Sequence, residues 1–136
     1  MEAGRQNPEI VTLTLPFEER FILVARILVG GLAARLDLPY EHVDDLQLAA
    51  EAVLAEPRCS TGDEVTIELA VADRESAMSI GPLDLQALES TLHDERTEGI
   101  GLGTLLRAVV DDIDIDDRDG SPWLRLRKRV PARPRS

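Results

Sequence analysis

The sequence predicts an α+β fold, a two-layer sandwich in which a mixed, mainly antiparallel sheet is covered by helices on one face. Its 136 residues are the length of one domain. Segments whose apolar residues alternate with a period of two are interleaved with segments whose apolar residues recur every three or four positions. Tight turns join two pairs of the alternating segments, which makes those strands antiparallel and leaves the helices to cover one face of their sheet.

The first third of the chain predicts a strand followed by a helix. Alternation over residues 9–15 indicates a half-buried strand, and Pro16 closes it. A helix is expected over residues 17–36, where Gly30 and Gly31 allow a neighbouring element to approach closely. The core-facing side chains expected for this helix are Phe17, Phe21, Val24, Leu28 and Leu32.

A second helix is predicted over residues 40–56, between two prolines at positions 39 and 57. The rest of the chain predicts two strand pairs separated by helical segments. Strands are expected over residues 64–72, 76–80, 112–116 and 122–130, and short helices over residues 83–92 and 104–111. The domain is expected to span residues 9–130, with a polar flexible segment at 1–8 and a basic flexible tail at 131–136.

Charge and composition exclude several classes of function. The formal net charge is -11, and only nine basic residues against 26 acidic ones precede Trp123. Such a body repels nucleic acid, so we expect no direct DNA binding. Cys59 is the single cysteine, which excludes an internal disulfide. The sequence shows neither an apolar run of membrane-spanning length nor a signal-peptide pattern, so we expect a cytoplasmic protein without membrane contact.

Three glycines, Gly99, Gly101 and Gly103, lead into the helix expected at residue 104. Glycines let backbone amides approach a ligand, and a helix N-terminus favours anions, so this segment suits a phosphate group. No Gly-Lys-Ser/Thr sequence follows, which excludes a Walker loop. A mobile loop ahead of a helix is the alternative interpretation.

Residues 45–56 and 98–107, together with the order of elements, resemble the anti-sigma-factor serine kinases of the Bergerat-fold (GHKL, histidine kinase-like) ATPases. The resemblance extends over residues 9–130, and residues 13–38 are also similar to that family. It implies the same α+β sandwich, ATP and magnesium as cofactors, a sigma factor or an anti-sigma antagonist as partner, and a homodimer.

In that family the second helix carries a Glu that acts as general base and, four residues later, an Asn that holds the magnesium ion. Glu51 matches the base, but the metal-ligand position is Ala55, whose methyl group cannot coordinate a metal. The neighbouring Glu56 is rotated by about 100° around the helix. We therefore assign no catalytic residue and no metal ligand.

The family's adenine-binding turn, Asp-x-Gly, corresponds here to Ser79 and Gly81, so a neutral hydroxyl replaces the carboxylate. The family's last motif is a glycine-rich segment, here called the glycine box, and it is matched best, by Gly99, Gly101, Gly103 and Thr104. Carried over by resemblance, the cofactor-binding residues are Ser79, Gly81, Gly99, Gly101, Gly103 and Thr104.

These matches lead to a hypothesis and two alternatives. The hypothesis is an anti-sigma-factor-like regulator that binds a sigma factor or its antagonist and has weakened or lost ATP binding and kinase activity. The alternatives are an active ATP-dependent serine kinase with Glu51 as base, and a binder of another phosphorylated small molecule. We expect His42 and His93 to lie on the surface, and Asp112, Asp114 and Asp116 to form a solvated strand face rather than a metal site.

Overall fold

A computed structural model describes residues 9–93 and 101–130, so the expected flexible segments 1–8 and 131–136 lie outside the described residues. The described residues form four α-helices, five strands and two short 3₁₀ turns, at Glu19–Phe21 and Pro57–Cys59. The elements are β1 Glu9–Pro16, α1 Ile22–Arg35, α2 Tyr40–Leu54, β2 Glu64–Ala72, β3 Glu75–Gly81, α3 Leu85–His93, α4 Leu102–Val109, β4 Asp112–Arg118 and β5 Ser121–Arg129.

The predicted fold class is confirmed. The strands form one five-stranded sheet in the order β1-β2-β3-β5-β4. Every strand pair within the described residues is antiparallel. The β2–β3 hairpin turns through Asp73 and Arg74, and the β4–β5 hairpin through Asp119 and Gly120, all four with positive φ. Two consecutive residues of this conformation give the tight turn whose twist matches that of the strands.

The core lies between one face of the sheet and the helices. Apolar residues at alternate positions of the three central strands point to the helices, and the register aligns Ile67, Ile80 and Leu124 across the sheet. Helix α2 buries Leu46 and Val53 against this layer, and all five residues are 0 or 1% exposed. The alternation predicted from the sequence thus fixes which side of each strand is buried.

Helix α1 is turned differently from our expectation. The side chains that it buries are the small Ala25, Val29 and Ala33, whereas Val24 and Leu28 are 40% and 43% exposed. The expectation was wrong for Val24 and Leu28, whose neighbours one residue on, about 100° around the helix, are buried instead. Phe17, Phe21 and Leu32 do pack, partly buried, against the core. The sequence pattern predicted the larger apolar side chains Val24 and Leu28 in the core, but in the structure they lie on the outer side of the helix. Even so, neither α1 nor any other helix in residues 9–93 and 101–130 is both long and apolar enough to span a bilayer.

The other face of the sheet carries no helix of the described residues and is covered by charged side chains. Arg118 donates two hydrogen bonds to the Glu68 carboxylate, at 3.0 and 3.3 Å, and its guanidinium lies 4.3 Å from the centre of the Trp123 ring. Asp112 and Asp114 share Arg127, at 3.6 and 3.0 Å. The alternating Asp residues of β4 thus lie on one face, where Asp112 and Asp114 are exposed and pair with arginine.

His42 is buried, which corrects the expectation of a surface residue. Its side chain is 2% exposed, and Nε2 lies 2.6 Å from the Ser76 hydroxyl. Ser76 donates its own proton to the carbonyl oxygen of Lys128, at 3.2 Å, which favours the tautomer whose protonated Nε2 donates to Ser76. This link joins α2, β3 and β5. Its sequence signal was the spacing of His42 four residues before the buried Leu46.

The His42 link predicts that stability falls with acidification. Burial and the nearby Lys128 ammonium hold the pKa of His42 below its ordinary value, although Asp45 and Asp111 oppose this shift. The unfolded chain therefore binds a proton more readily than the folded chain. The neutral His42 therefore contributes fully to the free energy of unfolding at pH values above its unfolded pKa of about 6.5. This contribution is lost as the pH falls through that value toward the lower folded pKa.

Denaturant unfolding between pH 8 and pH 5.5 checks this prediction. The free energy of unfolding of the wild type should decrease across that interval, and the decrease should be smaller in His42→Gln, whose side chain does not titrate. His93→Gln is the matched control, because it removes the other, exposed imidazole. Equal pH slopes for the wild type and His42→Gln would contradict the assignment.

Candidate functional site

The start of α4 brings together three of the residues that the sequence marked for phosphate binding. Gly101 is the extended residue before the helix, Gly103 and Thr104 lie in its first turn, and only Thr104 is exposed. No side chain caps this helix start. The backbone N–H groups of a first turn have no partner within their own helix. Gly99 lies outside the described residues.

Gly103 has a packing role that explains the glycine without a ligand. A Cβ at this position would overlap the backbone carbonyl oxygen of Leu92 in the last turn of α3, and it would also lie 3.1 Å from the Arg107 guanidinium. Only a residue without a side chain lets α4 begin this close to α3. The retained glycine is therefore required by the fold, whether or not a phosphate binds beside it.

Glu51, the candidate base, is positioned by α1. Its carboxylate oxygen lies 3.7 Å from the Arg26 guanidinium, and both side chains are between one third and one half exposed. One turn earlier on α2, Gln47 donates a hydrogen bond to the Arg26 carbonyl oxygen, at 3.0 Å. Arg26 belongs to another helix, so spacing along the sequence gave no signal for this pair. The Glu51 carboxylate is thus directed toward an arginine of α1.

The end of α2 carries the position at which the resemblance requires a metal ligand. Ala55 is the exposed residue that follows the helix, and the adjacent Glu56 carboxylate lies 3.5 Å from the Arg58 guanidinium. Magnesium prefers carboxylate and amide oxygens in octahedral geometry. In residues 9–93 and 101–130, no group of three or more acidic, His or Cys side chains is arranged to hold a metal ion. At the position of the expected ligand, the Ala55 methyl group therefore offers a magnesium ion no oxygen.

Beyond α2 the chain is joined tightly to the segment that follows β3. The Asp84 amide donates to the Cys59 carbonyl at 2.8 Å, and Ser60 pairs with Leu83 in an antiparallel bridge. Leu83 and Cys59 are completely buried, together with Thr91 of α3. Burial raises the pKa of the Cys59 thiol, so its reactive thiolate is disfavoured. This end of the helix layer is filled by packed side chains.

Ser79 and Gly81 lie on the face of the sheet that carries no helix. The neighbours of β3 that point to the core are Met78 and Ile80, so pleating directs Ser79 and Gly81 to the opposite side. A Cβ on Gly81 would lie 2.5 Å from the Trp123 ring, which explains the glycine by packing. Ser79 is aligned with Glu68 on β2 and Arg125 on β5.

The structure thus separates the predicted cofactor-binding residues into two groups. Gly101, Gly103 and Thr104 lie in the helix layer, whereas Ser79 and Gly81 belong to β3 and face the opposite side of the sheet. A ligand phosphate at the start of α4 and an adenine hydrogen-bonded to the Ser79 hydroxyl would have to be on opposite sides of the strands. The assignment of Ser79 and the glycine box to one nucleotide remains a prediction without a shared pocket in the described residues.

Comparison with known proteins identifies relatives of the expected kind. No family model matches the chain. The chain is 25% identical over 132 residues to the serine-protein kinase RsbW of Oceanobacillus iheyensis, covering 84% of this chain and 83% of the kinase. It is 26% identical over 133 residues to RsbW of Halalkalibacterium halodurans, covering 84% and 80%. The resemblance to the serine-kinase branch of the Bergerat-fold ATPases is confirmed.

A solved structure shows the same fold. The chain superimposes on a Mycobacterium tuberculosis protein with RsbU and RsbW domains, with a TM-score of 0.64 and 16% sequence identity. The match covers 90% of this chain but only 32% of the mycobacterial chain, so the present protein corresponds to about one third of that molecule. The similarity supports the α+β sandwich independently of the sequence comparison.

The packing role of Gly103 predicts opposite effects for two glycine substitutions. Gly103→Ala should destabilise the protein by about 1–3 kcal/mol, because the new methyl group meets backbone that cannot move aside. Gly31→Ala is the matched control, since it also lies within a helix and its Cβ would have no neighbour within 4 Å. It should stabilise the protein by about 0.5–1 kcal/mol through helix propensity.

Thermal and denaturant unfolding of the two variants measure the change in the free energy of unfolding and so test this prediction. A Gly103→Ala protein as stable as the wild type would show that α4 does not depend on this close approach, and the glycine would then need a different explanation.

Proposed function

We propose that this protein is an anti-sigma-factor-like regulator that acts by binding a sigma factor or its antagonist, with ATP binding and kinase activity weakened or lost. Two relatives are named serine-protein kinase, and they support the resemblance to the anti-sigma-factor kinase branch of these ATPases. The proposed function is taken from that branch. The partner classes come from the resemblance stated above. A homodimer belongs to the same proposal.

The observation that carries the loss of kinase activity is Ala55. Phosphoryl transfer depends on metal ions that neutralise charge developing on the phosphates, and a methyl group stands where the resemblance places the metal ligand. Two further features support it. The Glu51 carboxylate pairs with Arg26, and the hydroxyl that replaces the adenine-binding carboxylate lies on the other face of the sheet from α4. We derive no catalytic step through ATP or magnesium.

Electrostatics support a protein partner and oppose a nucleic acid. The chain carries a net charge of -11. A body of this charge repels DNA over distances set by the ionic strength, about 8–10 Å at physiological salt. Regulation of transcription by this protein would therefore act on a protein component and not on the promoter DNA.

The active kinase remains the second candidate, because its relatives are named kinases and Glu51 stands at the base position. The third candidate, a binder of another phosphorylated small molecule, is favoured by the start of α4, which no side chain caps. Nucleotide titration separates the three candidates.

Calorimetric titration with ATP, with and without magnesium, is the decisive measurement. We expect weak or undetectable binding, and no effect of magnesium, because Ala55 offers it no ligand. Phosphorylated metabolites should likewise leave the melting temperature unchanged, whereas a rise would favour the third candidate. Tight binding that requires magnesium, with phosphate transfer to an antagonist protein that Glu51→Gln abolishes, would establish the kinase and overturn the proposal.

A gain-of-function variant tests whether the metal ligand alone was lost. Ala55→Asn restores the residue that the resemblance expects, at an exposed position. We expect little or no recovery of magnesium-dependent ATP binding, because Ser79 faces one side of the sheet whereas Gly101 and Gly103 lie on the other. Leu48→Asn, at another exposed position of α2, is the control for an added amide. Recovery in Ala55→Asn alone would show that the rest of the nucleotide site is intact.

A further inference from the structure

The face of the sheet that carries no helix of the described residues has a groove along β3. The groove has a volume of about 380 Å³. Its floor is made of small residues, Ala70 and Ala77, which are aligned across β2 and β3, and Ser79. Ile10 of β1 lines one side of it, and Arg125 of β5 lines the other. The strands separate this groove from the helix layer, which holds α4 and the candidate base.

The Ser79 side chain faces this groove and has no hydrogen-bond partner in residues 9–93 and 101–130. Ser79 is only 3% exposed. Buried hydroxyl groups are nearly always hydrogen-bonded, because removing them from water without a replacement partner costs free energy. An unpaired hydroxyl on the floor of a groove therefore marks a place where a ligand can form a hydrogen bond.

Arg125 lies directly opposite Ser79 in the register of β3 and β5. It is half-buried, and its guanidinium forms no ion pair in the part of the chain that the structure describes. Arg118, which also lines the groove, is by contrast bound to Glu68. Directly opposite residues of an antiparallel pair have Cβ atoms about 5 Å apart. The Arg125 guanidinium and the Ser79 hydroxyl can therefore donate hydrogen bonds to the same carboxylate.

The other end of the groove carries an acidic group. Glu75 lines the groove and precedes Ser79 by four residues on β3, which is about 13 Å along the strand. Glu75 is half-buried and forms no ion pair within the described ranges. Ala77 and Ala70 lie between the two ends and add no charge. The groove therefore offers hydrogen-bond donors at one end, a carboxylate at the other and an apolar floor between them.

We propose that this groove binds a short zwitterionic peptide, of two or three residues with small side chains. Its carboxylate bonds to Arg125 and Ser79, and its ammonium group lies at Glu75. The length follows from the spacing of these groups. An extended chain spans at most about 3.3–3.6 Å per residue, so three residues cover about 10 Å. The Arg125 and Glu75 side chains bridge the remaining distance.

Charge favours a zwitterion over a simple anion at this groove. The net charge of the chain is -11, and Asp116 of β4, which also lines the groove, forms no ion pair within the described residues. A phosphate dianion would be repelled by Asp116 and Glu75. A zwitterion has no net charge, so the acidic body does not repel it, and its ammonium group is attracted to Glu75. We therefore expect no binding of inorganic phosphate.

Two-dimensional NMR titration of the full chain with trialanine tests the proposal. We expect a dissociation constant of roughly 0.1–1 mM, from the affinity per atom that is typical of small ligands. Trialanine amide, which lacks the carboxylate, should bind at least tenfold more weakly. N-acetyl-trialanine, which lacks the ammonium group, should bind at least threefold more weakly. Inorganic phosphate should leave the spectrum unchanged.

Substitutions in the protein locate the site. Arg125→Gln should weaken trialanine binding at least tenfold, and Ser79→Ala should weaken it about threefold or more. Arg35→Gln is the matched control, because it removes the same charge from an exposed position on α1, and it should leave binding unchanged. Glu75→Gln should weaken the binding of trialanine but not that of N-acetyl-trialanine, because only the former has the ammonium group that Glu75 contacts.

Each other result would overturn the proposal. Absence of binding at millimolar trialanine would exclude the site, and equal binding of the amide or of the acetylated peptide would exclude recognition of a zwitterion. Binding of phosphate would indicate a general anion site, and an equal loss in Arg35→Gln would reduce the effect to net charge. These outcomes do not depend on ATP or on a sigma factor, so they are distinguishable from failure of the proposed function. Circular dichroism of each variant confirms that it is folded.

Discussion

Each strand of this sheet can bury only every second side chain against the helices. The choice of buried residues in each strand therefore decides which residues face the opposite side of the sheet. Met78 and Ile80 supply the core contribution of β3, and they align with Leu126 and Leu124 on β5. This burial is the dominant stabilising term of a domain of this size. Because it fixes the rotation of β3, it also directs Ser79 and Gly81 to the opposite side. The requirements of the core thus decide the separation of the two groups of predicted nucleotide-binding residues.

Close approach of backbones is the second constraint, and it gives several glycines and alanines a structural reason. Gly103 lets α4 start against the Leu92 carbonyl, and Gly81 lies under the Trp123 ring. Helix α1 approaches the core through Ala25, Val29 and Ala33. Small residues therefore stand where elements touch, and the larger apolar residues of α1 are left on its outer side. A glycine motif that resembles a phosphate loop is here also a packing motif.

The functional interpretation combines a retained scaffold with altered chemistry. The described residues form the α+β sandwich, and a solved structure that contains an RsbW domain superimposes on it with a TM-score of 0.64. Fold alone does not determine activity. Ala55 lacks a ligand atom, and Glu51 pairs with Arg26 on the neighbouring helix. A binding function needs only the surfaces of such a scaffold, and α1 provides an apolar surface that the core leaves uncovered.

The sequence by itself determined the fold class and the order of the elements. Alternation in β2 and the Asp-Gly turn before β5 are local signals, and the alanine at position 55, where the resemblance expects a metal ligand, is likewise seen in the sequence alone. The tertiary structure decided the rotation of α1 and the partners of individual side chains, such as Ser76 for His42 and Arg26 for Glu51. Those contacts join residues far apart in the chain, and no periodicity encodes them. Local pattern specifies each element and the buried side of each strand, whereas the direction in which α1 faces is set by what packs against it.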